Sequence, residues 1–318
     1  MKKQLKIINM ENVEIEEIKW VWEPYIPYGK VTIIQGDPGE GKTTFVLALI
    51  ALLTTGKPLP ESRAVQEPIN VIYQTAEDGL SDTIKPRLVS AGADCSRVLV
   101  IDESEKELTM CDERLEEAIL KTDARLVVLD PMQAYLGGSV DMHRANEVRP
   151  IFKKLAVLAE NTGCAIILIG HMNKTQGVKS SYRGLGSIDF RAAARSVLVV
   201  GRMKDEPTIR IVAHDKSSLA PEGKAVAFEL HPDTGFAWKG FCDTTVDELL
   251  AGRASLMSKT TQAENLLTEL LTNREAASDE ILSQATAIGI SERTLKNAKQ
   301  NLGVKSRKVG DRWFSFLE

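Results

Sequence analysis

Eight residues, Gly36-Asp37-Pro38-Gly39-Glu40-Gly41-Lys42-Thr43, have the types and spacing of a triphosphate cradle. They fit GxxxxGK[ST] at every fixed position. The glycines let backbone N–H groups turn inward around phosphate oxygens. The Lys42 ammonium reaches the β and γ phosphates, and the Thr43 hydroxyl, with Thr44 beside it, faces Mg²⁺ and the nucleotide. A second apolar run, Leu126-Val127-Val128-Leu129, ends in Asp130, a carboxylate placed to hold Mg²⁺, usually through water. Hydrolysis also needs a carboxylate that orients the attacking water. Residues 71–78 run from a strand straight into two acids, of which Glu77 is the expected base and Asp78 its rival. His171 closes the run 166–170 at the same edge, where it can sense the γ-phosphate.

These groups can meet only if adjacent strand ends carry them. Short runs apolar at every position (31–34, 69–73, 98–101, 126–129, 165–169, 197–200) alternate with helical stretches, among them 43–55 and one reaching Asn161 that Pro150 starts or kinks. Such runs fit strands buried on both faces, so an α/β fold with a mostly parallel central sheet is expected. After Gly201 the pattern changes to runs at 208–213 and 225–230, then a Pro232-Asp233-Thr234-Gly235 turn into 236–239, which predicts an antiparallel β extension on the sheet edge. Residues 243–258 are expected as a helix and linker.

The last sixty residues read as a separate unit. Ala263, Leu266, Leu267, Leu270 and Leu271 share one helical stripe. Ser278 is expected to cap a second helix that ends at Gly289, and Ser291 a third that ends at Gly303, before two short strands around Gly310-Asp311. Three helices and a hairpin make a winged helix-turn-helix plan. On the third helix Arg293, Lys296 and Asn297 project opposite Leu295 and Ala298, and Lys305, Arg307 and Lys308 form a basic wing. Those residue types reach phosphates and base edges, so duplex DNA is the expected partner. The domains expected are 1–242, the linker 243–258 and 259–318.

The net charge of −4 excludes a surface that is basic throughout, so any nucleic-acid contact must be a local patch. The four cysteines form no CxxC pair and are expected as buried thiols. No apolar run approaches the roughly 18 residues of a membrane span. The Met1-Lys2-Lys3 start does not resemble a signal peptide either, so a cytoplasmic location without membrane contact is expected.

The order of the pieces resembles the RecA/DnaB-like P-loop ATPases, and more narrowly the plasmid RepA-type hexameric helicases, over about residues 20–239. Its most telling stretches are Gly170-His171-Met172-Asn173-Lys174, Tyr182-Arg183-Gly184-Leu185-Gly186-Ser187 and 197–202. The resemblance implies a RecA-like fold, ATP and Mg²⁺ as cofactors, and a ring-like homo-oligomer, a hexamer, around single-stranded DNA. It also implies that Lys42, Thr43, Glu77, Asp130 and His171 act in cis. Arg202 would be an arginine finger for the neighbouring copy, with Lys204 a second cation; Arg191 and Arg195 compete for these roles. Arg183 would link the phosphate site to a DNA loop at 173–182, which carries Lys174 and Lys179, and 135–144 is a second candidate loop. The chain is expected to lack the N-terminal helical domain of the replicative DnaB type. A helicase or motor of a plasmid or mobile element, an ATP-gated initiator or regulator, and a strand-coating recombinase or loader all remain open.

Overall fold

The computed structural model describes residues 7–60, 62, 66–138, 140–142, 144–172, 188–272 and 274–317. A small opening hairpin, β1 (Trp20–Trp22) and β2 (Ile26–Pro27), leads into β3 (Val31–Gly36) and α1 (Lys42–Thr55). Then come β4 (Asn70–Thr75), α2 (Lys85–Ser90), β5 (Val98–Leu99), α3 (Glu113–Thr122), β6 (Ala124–Asp130), α4 (Ala145–Thr162), β7 (Ala165–His171), α5 (Ile188–Ala193) and β8 (Ser196–Arg202). The antiparallel extension is β9 (Ile209–Ser217), β10 (Ala225–His231) and β11 (Gly235–Cys242). Among the described residues these strands form one nine-stranded sheet, ordered β11-β10-β9-β8-β3-β7-β6-β4-β5.

The apolar runs follow from burial on both faces. Ile34, Ile167 and Ile169 pack under α1 and α2, whereas Ile33, Ile166 and Leu168 pack under α3, α4 and α5. Because β8, β3, β7, β6 and β4 run parallel, their C-terminal ends collect at one edge. Gly36 stands level with His171, and Thr75 with Asp130. Pro150 does not start α4, which begins five residues earlier at Ala145 and runs through it. The cysteine expectation holds in part: Cys164 and Cys242 are buried, Cys95 is half-buried and Cys111 is exposed.

The linker region contains α6 (Val246–Leu250), opened by a reciprocal Thr245–Glu248 cap. It lies behind the end of β8, where a Cβ on Gly201 would come within 3.0 Å of the Leu249 side chain. The last unit comprises α7 (Lys259–Leu271), β12 (Ala276–Ala277), α8 (Ser278–Ala287), α9 (Glu292–Asn301), β13 (Lys305–Val309) and β14 (Arg312–Phe316). Ala263, Leu267, Ile281, Ala285, Leu295 and Ala298 give it a core of its own. Ser291 caps α9 as expected, its hydroxyl accepting from the Thr294 amide. Ser278 does not cap α8: it is the first helical residue, and Ala277 holds the cap position. That displacement frees Ala276 and Ala277 to pair with β14, which adds a third strand to the expected hairpin.

Leu267 is fully buried in that small core. Leu267→Ala should cost about 2–5 kcal/mol, read as faster amide exchange across α7–α9 with α1 and β3 unchanged. Equal loss of protection in β3 would contradict a separate core.

Candidate functional site

The turn after β3 is shaped for an anion. Gly36 is fixed by close packing, since a Cβ there would lie 2.2 Å from the Val200 carbonyl. Gly41 has φ 89° and a Cβ on it would strike Leu230 at 2.8 Å, so the loop is pressed against the β10–β11 hairpin. Gly41 also occupies the N-cap of α1, where no side chain satisfies the first-turn amides. Unsatisfied N–H groups and the positive end of a helix favour phosphate at this point. Behind it α1 is apolar around its whole circumference, and Phe45 to Ile50 are all buried, which anchors the loop rigidly.

Lys42 is 5% exposed, and its ammonium donates to the carbonyls of Gly36 and Asp37, both at 2.9 Å. Burial lowers its pKa, and Asp130, Asp37, Glu40 and Glu77 oppose that shift. The ammonium also lies 3.3 Å from His171 Nδ1. A donor-only group there requires an acceptor, so the ring proton belongs on Nε2. Nε2 faces the Glu77 carboxylate at 3.8 Å. Lys42, His171 and Glu77 therefore form one row, with Glu77 at its solvent-facing end.

A second row centres on Asp130. The Thr43 hydroxyl donates to its Oδ2 at 2.7 Å and the Tyr73 hydroxyl to the same oxygen at 2.8 Å. Burial raises the Asp130 pKa, and these two donors hold it back. Sequence reasoning missed Tyr73. The signal was present in the alternation: Tyr73 lies two residues before Thr75, on the same face of β4, and Thr75 is level with Asp130. The Asp78 carboxylate, the rival base, is engaged with Arg87 at 3.1 Å.

The hard-oxygen pair Thr43 and Asp130 fits Mg²⁺, which keeps water and phosphate as its remaining ligands. Among the described residues no group of three or more His, Cys, Asp or Glu is placed to hold a metal ion.

Arg202 stands at the end of β8 with its side chain 43% exposed. Because β8 neighbours β3, its Nη2 reaches the Gly39 carbonyl at 3.3 Å and its Nε lies 3.8 Å from Glu40. Arg210, directly across the ladder from Arg202, is 7% exposed, and burial with the neighbouring Arg202 lowers its pKa. The loop thus has an arginine pair around Glu40 that sequence spacing alone did not show. The stem of Lys204 lies close to Gly252 beyond α6. Arg191 and Arg195 precede β8 at the opposite edge of the sheet, and Arg191 pairs with Asp215 at 2.9 Å. In the first candidate DNA loop, Tyr135 and Leu136 are buried rather than displayed. Lys174, Lys179 and Arg183 lie outside the described residues.

In the last unit Arg293, Lys296 and Asn297 are exposed on α9, and the whole of β13 is exposed. Arg307 is bound by Glu275 at 2.8 Å, and Arg312 by Asp279 at 2.6 Å. Lys299 turns inward to the Ser315 hydroxyl, and burial lowers its pKa.

A family model described as an AAA domain matches residues 2–177, just over half of the chain. DNA repair protein RadA of Halalkalibacterium halodurans is 27% identical over 165 residues, covering 51% of this chain and 32% of that protein. RadA of Streptococcus pneumoniae is 26% identical over 168 residues, covering 52% and 36%. The chain spans about a third of the length of these curated relatives. Among solved structures, a KaiC-like protein of Pyrococcus horikoshii OT3 aligns with a TM-score of 0.47 and 16% identity, over 67% of this chain and 90% of that one.

A carboxyl such as that of Asp130 can ligate a metal only as the carboxylate, the form present above its pKa and lost as pH falls through it. Tyr73→Phe removes one of the two donors holding that pKa down. The acid limb of the pH–turnover profile should therefore move to higher pH, with the Mg²⁺ requirement rising about tenfold or more. Superimposable profiles would remove Tyr73 from the site.

Proposed function

The chain belongs to the AAA domain family AAA_25, and from that premise we propose that it is a Mg²⁺-dependent ATPase acting on DNA, of the RepA-like helicase kind. The observation that carries this reading is the convergence of Lys42, His171 and Glu77 with Thr43 and Asp130 at adjacent strand ends. Lys42 and the first-turn amides of α1 hold the β and γ phosphates. Thr43 and Asp130 hold Mg²⁺, whose charge neutralises the phosphate oxygens. Glu77 orients the attacking water and accepts its proton. His171, bridging Glu77 and Lys42, registers whether the γ-phosphate is present. Arg202 serves in this reading as an arginine finger for the neighbouring copy, with Lys204 a second cation, so that ATP is hydrolysed between subunits as charge spreads over the phosphoryl oxygens. The name of the RadA relatives, DNA repair proteins, favours DNA as the polymer acted on. Copies assemble as a ring-like homo-oligomer, a hexamer, with Lys174, Lys179 and Arg183 facing single-stranded DNA.

Residues 259–318 act as a winged helix on duplex DNA, joined through 243–258 to the ATPase domain of 1–242. α9 supplies Arg293, Lys296 and Asn297, and the wing supplies Lys305 and Lys308, with Arg307 shared with Glu275. A second reading, an ATP-gated initiator or regulator that unwinds nothing, is favoured by a specific contact. Lys259 pairs with Glu248 of α6 and also donates to the Ile288 carbonyl, and Arg253 donates to the Ala287 carbonyl at 3.3 Å. α6 sits directly behind the strand that ends in Arg202, so nucleotide and duplex DNA could be sensed through one helix.

Lys42→Ala should reduce ATP turnover by about 10³-fold, and unchanged turnover would refute the site. Mixing inactive Lys42→Ala copies with inactive Arg202→Ala copies separates cis from trans action. A trans finger restores turnover in the mixture, whereas a mixture that stays inactive would retire Arg202 as the finger for a neighbour. Replacing Arg293 and Lys296 together by alanine should weaken duplex binding about tenfold near 0.1 M salt and shallow its salt dependence by about two phosphate contacts. Unaltered binding would leave the last unit as a protein dock.

A further inference from the structure

β13 and β14 form a two-stranded wing whose inner face changes character along its length. Paired residues of an antiparallel ladder point to one face, and every second residue shares it. Lys308 pairs with Trp313 and Ser306 with Ser315, so these four side chains lie on one face. Its root is packed on the unit's core. Ser315 is fully buried there, and the Lys299 ammonium of α9 donates to its hydroxyl at 3.0 Å. Two residues further out, about 7 Å along the strand, the same face is bare. Trp313 is 54% exposed although it stands on the side of the sheet turned toward α9, and Lys308 across from it is exposed as well.

A single exposed apolar side chain is ordinary on a protein surface. Trp313 differs in its surroundings. The two arginines of the wing are drawn back toward the body of the unit, Arg307 to Glu275 and Arg312 to Asp279. Lys308 remains at the tip, level with the indole, and Arg293 and Lys296 stand exposed on α9. Three cations and one aromatic ring therefore share the surface that α9 and the wing present.

That combination selects among polyanions. Within a duplex each base is covered on both faces by its neighbours, and the grooves offer base edges and phosphates, which arginine, lysine and asparagine reach. An indole offers a single N–H and a broad π face, and it gains most from the face of a base. Such a face is open only where pairing stops. The cations of α9 thus suit paired DNA, and the ring suits the first base beyond it.

We propose that Trp313 stacks on the first unpaired base where duplex gives way to single strand, with Lys308 on the adjoining phosphate and α9 on the duplex behind. The last unit then recognises a junction between paired and unpaired DNA in preference to continuous duplex. This deepens the reading of residues 259–318 as a duplex binder and rests on it; it uses none of the nucleotide chemistry.

The test is fluorescence anisotropy of the full chain, without nucleotide, on a blunt duplex and on the same duplex carrying a three-base single-stranded extension. The extended duplex should bind about fivefold or more tightly, as expected for one base stacked on an aromatic ring. Trp313→Ala should abolish that preference and leave the blunt duplex within about twofold of native. Trp313→Phe should retain most of the preference, whereas Trp313→Leu, apolar but without a π face, should lose it. Equal native affinities for the two DNAs, a preference that survives in Trp313→Ala or Trp313→Leu, or an equal loss on both DNAs would overturn the proposal while the duplex reading stands. A native chain that binds neither DNA would remove the duplex reading and the junction with it.

Discussion

A buried ammonium must have negative charge or acceptors within reach, and Lys42 meets that constraint at the point where three strands end. Two loop carbonyls and an imidazole nitrogen hold it, with four carboxylates close enough to oppose the effect of burial on its pKa. Backbone acceptors carry only partial charge, so the pocket is polarised toward an anion that brings more. The sheet exists in its present order partly to make that pocket. β7 beside β3 delivers His171, and β6 beside β4 delivers Asp130 level with Thr75, just before the acids that follow it. One register slip in either pair would turn these groups to the wrong face.

Rigidity around the ammonium comes from close packing. Gly36 can approach the Val200 carbonyl only without a Cβ, and the Phe45–Phe228–Phe236 stack ties α1 to the β10–β11 hairpin pressed on Gly41. The antiparallel extension is thus part of the site's scaffold. It also brings Arg202 and Arg210 together across one ladder, beside Glu40. Behind Arg202, α6 links the same strand to the last sixty residues through Glu248 and Lys259.

Much of this was legible in the sequence because it is local. The loop, the strand before it and the apolar helix after it are contiguous, and residues apolar at every position could only be strands covered on both faces. Asp130, Glu77 and His171 could be placed because each follows such a run. What stayed hidden depends on which strands are neighbours. Tyr73 touches Asp130 only because β4 lies next to β6. The contact of Arg202 with its own phosphate loop likewise arises only because β8 flanks β3. Ser278 misled for another reason: the sequence marks a good cap, but β12 pairing with β14 draws the preceding alanines into a sheet and moves the helix start.

The most direct measurement is calorimetric titration of the full chain with ATP, with Mg²⁺ present and again after chelation. Saturable one-to-one binding that weakens when the metal is removed is the result the proposed reading predicts, since in it Thr43 and Asp130 share an ion with the phosphates that Lys42 holds. Absence of heat under both conditions would contradict a triphosphate site at this strand edge.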